Sequence, residues 1–288
     1  MKNKNIKEII NELGKIKEKQ LSQKSFIFTI TTNQVKHIAK KYSLSPLEVE
    51  ILSLQQDIMP TRYERNYDTI SFSDQIKLLQ STVAVVGCGG LGGNIVELLA
   101  RTGIGNIAVI DGDIFNESNL NRQLLCTEHA IGIEKAEKAL ERIKHINSSI
   151  NTTSYSCFID SENVREIISG SDIVVDALDN IPSRFIIEEG CKKLKIPFIH
   201  GAVGGFIGQV STIFPEDKGL QNIYGPKENY TKDNSENRLS VLPASPALIA
   251  SLEVQEVLKV LLNRGTSLRN KLLLINLEDV EFNVLELP

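Results

Sequence analysis

The residues that point most directly to chemistry form a glycine-rich turn, Gly87-Cys88-Gly89-Gly90-Leu91-Gly92. An apolar, β-branched run precedes it at 83–86, and apolar residues at helical spacing follow it. In such a strand–turn–helix unit, the first glycine permits the tight turn, the second lets the backbone approach a phosphate, and the third lets helix and strand pack closely. The N–H groups at the start of the helix then attract anions. The whole turn is therefore a candidate nucleotide cradle.

An acidic residue follows this turn at the spacing of a ribose-binding acid. A second β-like run, residues 107–110, ends on Asp111, which lies 19 residues beyond Gly92. A carboxylate there can accept hydrogen bonds from ribose hydroxyls. The loop after it carries a series of polar side chains, Asp113, Asn116, Asn119, Asn121, Arg122 and Gln123. We expect this loop to border the nucleotide.

Two cations and a further acid favour a triphosphate over a dinucleotide. Arg122 lies at the mouth of the turn, and Lys135 lies near the start of the next helix, so both can reach phosphate oxygens. Asp179 follows a predicted strand at the edge where nucleotides bind, and a carboxylate there suits Mg²⁺. This set indicates chemistry at phosphorus, where positioning and charge neutralisation supply most of the catalysis.

Each of these residues also has a plainer interpretation. Arg122 could form an ordinary surface ion pair, and Lys135 could be a solvated helix residue. Asp179 and Asn180 could cap the helix that follows them, since such residues favour helix starts. Asp176 could equally be the acid that matters.

The alternation of strands and helices predicts an α/β fold, a doubly wound Rossmann-like sheet that is mostly parallel. Antiparallel strands are expected on its C-terminal side, because glycines 204 and 205 separate two β-like runs and two more follow at 271–276 and 280–287. Residues 1–60 form a predicted small helical N-terminal module, with helices over about 1–24, 32–42 and 45–56, and residues 61–288 form the nucleotide-binding domain. A long exposed loop is predicted over about 215–242.

Composition narrows the class of protein. The 288 residues carry 32 basic and 36 acidic side chains, a balance that argues against nucleic acid or an anionic membrane as a partner. No apolar run is long enough for a bilayer, and the Lys- and Glu-rich start does not resemble a secretory signal. The four cysteines are widely spaced, which is typical of a reducing cytoplasm.

Several spaced motifs together resemble the ThiF/MoeB/HesA family of ubiquitin-activating-type adenylyltransferases: GCGGLGG, IDGD, SNLNRQ, GIEKAE, DALDN and HGAVGGFIGQV. The resemblance implies ATP-dependent adenylation of the C-terminal carboxylate of a small ubiquitin-fold sulfur carrier, with release of pyrophosphate. The pathway would be molybdenum or tungsten cofactor or thiamine synthesis. A homodimer is also implied.

The resemblance also assigns roles to particular residues. Gly87 to Gly92 would cradle ATP, with Asp111 on its ribose. The polar positions implied to contact ATP, its phosphates or Mg²⁺ are Asp113, Asn119, Arg122, Gln123, Lys135, Asp179 and Asn180, and Asp179 would hold the metal. Arg65 lies in a segment that resembles the one from which an arginine reaches the partner subunit's ATP site, although it could also be a surface ion-pair residue.

Two departures from the family pattern limit the expected chemistry. The paired cysteines that commonly bind structural zinc are missing after Cys191, so we predict no zinc. The 215–242 loop has no cysteine for thioester or acyl-disulfide chemistry, so the reaction should stop at the acyl-adenylate. Two alternatives remain: an adenylating enzyme acting on tRNA or on a peptide docked by the N-terminal module, and a non-catalytic nucleotide-binding scaffold.

Overall fold

The computed structural model describes residues 2–21, 26–230 and 240–288. For residues 2–5, 20 and 21 it describes the backbone alone. The helices are α1 (Lys2–Ile16), α2 (Thr32–Tyr42), α3 (Pro46–Leu54), α4 (Phe72–Gln80), α5 (Gly90–Thr102), α6 (Lys135–Ile146), α7 (Val164–Ile167), α8 (Ile181–Leu194), α9 (Leu220–Tyr224) and α10 (Ala244–Leu262). The strands are β1 (Glu18–Leu21), β2 (Phe26–Ile30), β3 (Ile58–Pro60), β4 (Thr82–Val86), β5 (Asn106–Ile110), β6 (Asn151–Tyr155), β7 (Ile173–Asp176), β8 (Phe198–Gly204), β9 (Ile207–Ile213), β10 (Lys271–Asn276) and β11 (Glu281–Glu286).

The main sheet has eight strands in the order β11-β10-β9-β8-β7-β4-β5-β6. Strands β8, β7, β4, β5 and β6 are parallel, and β9, β10 and β11 continue the sheet antiparallel. The predicted doubly wound sheet with antiparallel strands on its C-terminal side is thus confirmed. Strand β4 lies between β5 and β7, so the chain changes direction across the sheet next to the glycine turn.

Hydrophobic packing covers both faces of this sheet. On one face, α5 and α10 pack against each other and over the sheet, with Val85, Ile95 and Val254 in one buried cluster. On the other face, α8 contributes Phe185 to a second cluster, together with Val174. Because the central strands are apolar on both sides, only their carboxyl ends present polar groups, and the site lies there.

The N-terminal module, residues 2–60, contains strands as well as the expected helices. A three-stranded sheet pairs β1 antiparallel with β2, and β2 parallel with β3. The helix predicted over residues 1 to about 24 ends at Ile16, and residues 22–24 lie outside the described part. Beyond Ile16, pairing with β2 overrides the helix preference of the Glu-Lys-Gln-Leu segment. The helix expected from residue 45 is confirmed as α3, and Ser45 and Glu48 bond reciprocally at its start in a capping box.

The loop predicted over about 215–242 also has local structure. The short helix α9 lies within it and buries Leu220 fully, whereas residues 231–239 lie outside the described part. Within the described ranges, no helix combines the length and hydrophobicity that a membrane crossing needs.

Candidate active site

The glycine turn has the close contacts that its sequence predicts. Gly87 has φ +100°, and a Cβ on it would lie 2.5 Å from the carbonyl oxygen of Ala177. A Cβ on Gly92 would lie 1.8 Å from the carbonyl oxygen of Gly87. Helix α5 begins directly after Gly89, which has no side chain to cap it. The N–H groups of its first turn are therefore free to donate hydrogen bonds to an anion.

Gly90 and Leu91, the next residues of the turn, have different environments. Gly90 is half-buried at the first helical position, where a Cβ would contact Pro246 at 3.4 Å. The Leu91 side chain is buried in the core, so only its backbone can face a phosphate. The turn thus offers backbone to a ligand and fills the space beneath with apolar side chains.

Asp111 is held in place at the end of β5 by backbone donors. Its Oδ2 accepts a hydrogen bond from the Cys88 N–H at 2.6 Å, and its Oδ1 accepts one from the Asp113 N–H at 2.8 Å. Burial raises the pKa of the Asp111 carboxyl, while these two N–H groups and Lys135 oppose that rise. Each carboxylate oxygen keeps a lone pair for a ribose hydroxyl.

Lys135 lies beside this acid and is not a solvated helix residue. It begins α6, is only 7% exposed, and its Nζ lies 3.0 Å from Oδ2 of Asp113. Its charge also lowers the pKa of Cys88 against the larger effect of burial. Among the described residues its one carboxylate partner, Asp113, is exposed, so this buried ammonium is suited to exchange that partner for a phosphate.

The loop between β5 and α6 carries three predicted residues, and two of them, Arg122 and Gln123, lie beside the glycine turn. The Arg122 guanidinium donates to the Ser118 carbonyl and to Asn121 Oδ1, each at 2.8 Å, and forms no ion pair with a described residue. Asn119 is buried, and its Oδ1 accepts from the Asn116 N–H at 3.0 Å. That bond folds the loop and leaves the Asn119 amide nitrogen as its available donor.

Gln123 reaches the glycine turn itself. Its Nε2 would lie 3.5 Å from a Cβ on Gly89, so the amide faces the backbone at the start of α5. The Gln123 side chain is buried, and its Oε1 has no hydrogen-bond partner among the described residues. A buried polar group left unpaired is costly, and a ligand in the cradle would change its surroundings. The uncapped helix, the missing side-chain volume and this amide together fit a bound nucleotide.

The two acids after β7 have different environments. Asp179 is exposed, and its carboxylate is contacted by the Asn180 amide at 3.4 Å. Asn180, not Asp179, caps α8, since its Oδ1 accepts from the Ser183 N–H at 2.9 Å. Asp176 is fully buried and accepts from the Leu178 N–H at 2.9 Å. Asp179 is therefore the acid available to a metal, although the described residues contain no cluster of three or more potential ligands.

Arg65 lies far from the glycine turn of its own chain. It is exposed on the 3-10 turn Thr61–Asn66 and forms no ion pair within the described part of the chain. Its neighbour Tyr63 packs against Gly103, which ends α5. The glycine turn lies at the opposite end of that 13-residue helix, about 20 Å away at 1.5 Å per residue. Arg65 is thus not part of the site formed by its own subunit.

None of the cysteines has the environment of a nucleophile. Cys88, Cys126 and Cys191 are buried, and Cys157 is half-buried. Burial raises the pKa of all four thiols. Each remains a neutral thiol at pH 7, so the structure assigns them no covalent step.

Sequence reasoning missed a buried polar group under the site. Arg184 on α8 forms an ion pair with Asp176, and Tyr224 and Gln209 adjoin His200. In the sequence, Asp176 was an alternative to Asp179, and His200 begins the motif HGAVGGFIGQV. Two charged residues one turn apart on the buried face of α8, Arg184 and Glu188, were the signal that could have indicated buried polar contacts there.

The chain matches known proteins over most of its length. The model of the ThiF family matches residues 63–288. A SAMP-activating enzyme E1 of Haloferax volcanii is 33% identical over 77% of this chain and 83% of its own length. A probable molybdopterin-synthase adenylyltransferase of Porphyra purpurea is 36% identical over 77% of this chain, which spans 59% of that relative. A sulfur carrier protein adenylyltransferase of Thermus thermophilus is 33% identical over 73% of this chain and 80% of its own length.

Solved structures agree on the fold. Escherichia coli MccB in a crystal with MccA superposes with a TM-score of 0.70 at 22% identity, covering 90% of this chain and 80% of that one. At that identity the likeness concerns the fold alone. Because the family model matches residues 63–288, most of its length, the chain belongs to the ThiF family.

Proposed function

We propose that this protein adenylates the C-terminal glycine carboxylate of a small ubiquitin-fold sulfur carrier, using ATP and releasing pyrophosphate. The observation that carries the proposal is the convergence of an uncapped helix N-terminus, a ribose-type acid and two cations at one edge of the sheet. The relatives named for molybdopterin synthase, sulfur carrier and SAMP activation support a carrier of this class.

The reaction needs little covalent chemistry from the protein. A carboxylate oxygen of the carrier attacks the α-phosphorus, and a new O–P bond forms. The bond from that phosphorus to the bridging oxygen breaks, and pyrophosphate leaves with the electron pair. Negative charge builds up on the phosphoryl oxygens, so cations and N–H donors held in place supply the stabilisation.

Each candidate residue has a role in this scheme. The α5 N-terminus and the Gly89 backbone would hold the phosphates, Asp111 would hold the ribose, and Arg122 and Lys135 would neutralise charge on the β- and γ-phosphates. Gln123, Asn119 and Asp113 would line the cradle. These roles are supported by the positions of the side chains around the turn.

Asp179 would hold Mg²⁺, with Asn180 keeping it at the start of α8. The metal held there would supply positive charge that offsets the negative charge of the phosphates. One exposed carboxylate is a sufficient protein ligand, because Mg²⁺ usually keeps water and phosphate ligands.

We also propose that the protein works as a homodimer in which Arg65 enters the partner's ATP site. Support comes from the exposure of this arginine, which forms no ion pair with a described residue, and from its position at the end of α5 opposite its own site. The buried thiols are consistent with a cytoplasmic protein that holds no disulfide.

Carrier-dependent ATP–pyrophosphate exchange tests the activity. A purified carrier ending in Gly-Gly should support exchange, and the same carrier lacking these two residues should not. Arg122→Ala should abolish exchange, whereas Arg101→Ala should keep it, because Arg101 pairs with Glu97 at the far end of α5. Near-normal exchange by Arg122→Ala would remove that residue from the proposed site.

A second candidate function is adenylation of a peptide docked by the N-terminal module. It is favoured by one observation: the module lies outside the family match, which begins at residue 63. If no Gly-Gly carrier supports exchange but a peptide or a tRNA becomes adenylated, the carrier proposal fails and this alternative, or its tRNA counterpart, takes its place.

A further inference from the structure

A buried polar cluster lies directly beneath the loop that carries Asp179. Its members are Asp176 at the end of β7, Arg184 on α8, His200 on β8, Gln209 on β9 and Tyr224 on α9. We call it the Arg184 cluster. Arg184 is only 6% exposed, and its Nε lies 3.1 Å from Oδ2 of Asp176.

The cluster holds both backbone groups of the residue before Asp179. Leu178 O accepts from Arg184 Nη2 at 2.6 Å, and Leu178 N–H donates to Asp176 Oδ1 at 2.9 Å. Asp179 itself has only the 3.4 Å contact with its neighbour Asn180. The direction of its carboxylate therefore depends on how Leu178 is held.

The remaining contacts keep Arg184 in one orientation. Its Nη1 donates to the Tyr224 hydroxyl at 3.1 Å, and its Nη2 also approaches the Gly201 carbonyl at 3.5 Å. Burial would lower the pKa of Arg184, but nearby acids, Asp176 foremost and Asp179 among them, outweigh it. The guanidinium thus stays charged and is fixed by donors that point in different directions.

His200 contacts the same carboxylate oxygen of Asp176 that Arg184 approaches. Its Nδ1 lies 2.7 Å from Asp176 Oδ2, and burial lowers the pKa of the imidazole, so the ring is neutral. Nδ1–H then donates to the carboxylate, and Nε2 accepts from the Tyr224 hydroxyl at 3.0 Å or from the Gln209 amide at 3.2 Å. Tyr224 belongs to α9, so the 215–242 segment reaches the same cluster.

A buried ion pair is a weak source of stability, since desolvation offsets its attraction. Each partner of this pair also holds one backbone group of Leu178 in the loop that carries Asp179. We propose that Arg184 is a positioning residue: through Leu178 it aims the Asp179 carboxylate at the phosphate-bound metal. The inference rests on the proposed function, and Arg184 itself is too deeply buried to touch the nucleotide.

Metal affinity, measured apart from turnover, tests this role. Calorimetry would follow Mg²⁺ binding to the full-length protein in the presence of a non-hydrolysable ATP analogue, beside exchange assays over a range of Mg²⁺ concentrations. Arg184→Gln should weaken Mg²⁺ binding about 10-fold or more, as is common when a residue supporting a metal ligand is lost. Arg184→Lys, which keeps the charge, should recover part of the loss.

Two further variants keep the test decisive. Arg165→Gln alters an exposed arginine on α7 and should leave Mg²⁺ binding unchanged. Tyr224→Phe removes one support of Arg184 without leaving a charge unpaired, and should weaken Mg²⁺ binding in the same direction by a smaller factor. If Arg184→Gln does not fold, the Mg²⁺ affinity of Tyr224→Phe tests the positioning role instead.

The outcome separates this inference from the proposed function. If Asp179→Asn weakens Mg²⁺ binding but folded Arg184→Gln and Tyr224→Phe do not, then Arg184 is only structural and the inference fails. If Asp179→Asn also leaves Mg²⁺ binding unchanged, the proposed role of Asp179 fails as well. If a carrier supports no exchange while Mg²⁺ binding shifts as expected, the carrier proposal alone is wrong.

Discussion

Gly92 and Gly87 approach so closely that a Cβ on Gly92 would lie 1.8 Å from the Gly87 carbonyl oxygen. A side chain could occupy that space only if α5 moved away from the turn that follows β4. The contact therefore fixes where the helix N-terminus lies relative to the sheet. The same close contact therefore determines both how α5 packs and where its N–H groups can bind a ligand.

Gly92→Ala should both destabilise the protein and weaken nucleotide binding. Overpacking of this kind costs about 1–3 kcal/mol, and moving α5 displaces the N–H groups of the cradle. Chemical denaturation and ATP titration would measure the two effects. Gly14→Ala in α1 is the control, because a Cβ there meets nothing within 4 Å. It should be neutral or stabilising by up to about 1 kcal/mol. Equal effects of both substitutions would contradict the packing argument.

Arg65 should act on the partner subunit's site. Arg65→Ala and Lys135→Ala should each be inactive alone in carrier-dependent exchange. When the two variants are mixed in equal amounts and exchange subunits, half of the dimers contain one subunit of each kind. Each of these mixed dimers has one intact site out of two, so the mixture should recover about a quarter of wild-type activity. The mixture and the separate variants would be assayed at the same total protein concentration. No recovery in a mixture shown to contain mixed dimers would place Arg65 outside the partner's site.

Glu253→Gln should stabilise the protein at neutral pH. Glu253 on α10 is fully buried, its two carboxyl oxygens have no partner among the described residues, and burial raises its pKa well above the usual value. The neutral Glu253 carboxyl contributes its full stabilisation of the folded protein below about pH 4.5, the ordinary pKa of a glutamate. Because the pKa is raised in the folded state, this contribution is lost as the pH rises from there towards the folded pKa.

Glutamine does not titrate, so the variant escapes that loss. The difference in free energy of unfolding should favour the variant at pH 7, because ionisation of Glu253 stabilises the unfolded state of the parent protein relative to its folded state. It should shrink as the pH falls to about 4.5. Denaturation at several pH values would measure it, with Glu281→Gln on exposed β11 as the control. A difference that does not depend on pH would contradict a neutral Glu253.

Tyr63→Phe should loosen the junction between the N-terminal module and the main domain. The Tyr63 hydroxyl donates to Glu50 at 3.2 Å and accepts from Asn147 at 2.8 Å, so it joins α3 to the end of α6. Losing it leaves buried groups short of a partner, at a cost of about 1–3 kcal/mol. Tyr67→Phe is the matched control, because its ring packs on Phe72 and its hydroxyl has no hydrogen bond to a described residue. Denaturation of both variants would show whether only the first loses stability.

Much of the fold was open to sequence reasoning because its signals are local. The β-branched runs, the glycine turn and the capping box at Ser45 each depend on residues a few positions apart. Strands β1 and β2 were missed, since the stability of such short strands comes from each other and from the core beneath them. The helix α9 was missed for a similar reason: it is short, and Leu220 is buried by distant residues.

By itself, the sequence determined the strand–turn–helix unit, the position of Asp111 and the order of the motifs, because glycine geometry and side-chain periodicity act over short range. Only the tertiary structure showed that Asp176 is buried and paired with Arg184 whereas Asp179 is exposed, although the two acids lie three residues apart. It also decided that Lys135 is buried beside Asp113 and that Arg184 lies beneath the Asp179 loop. Burial and pairing are properties of the packed chain, and residues distant in sequence create them.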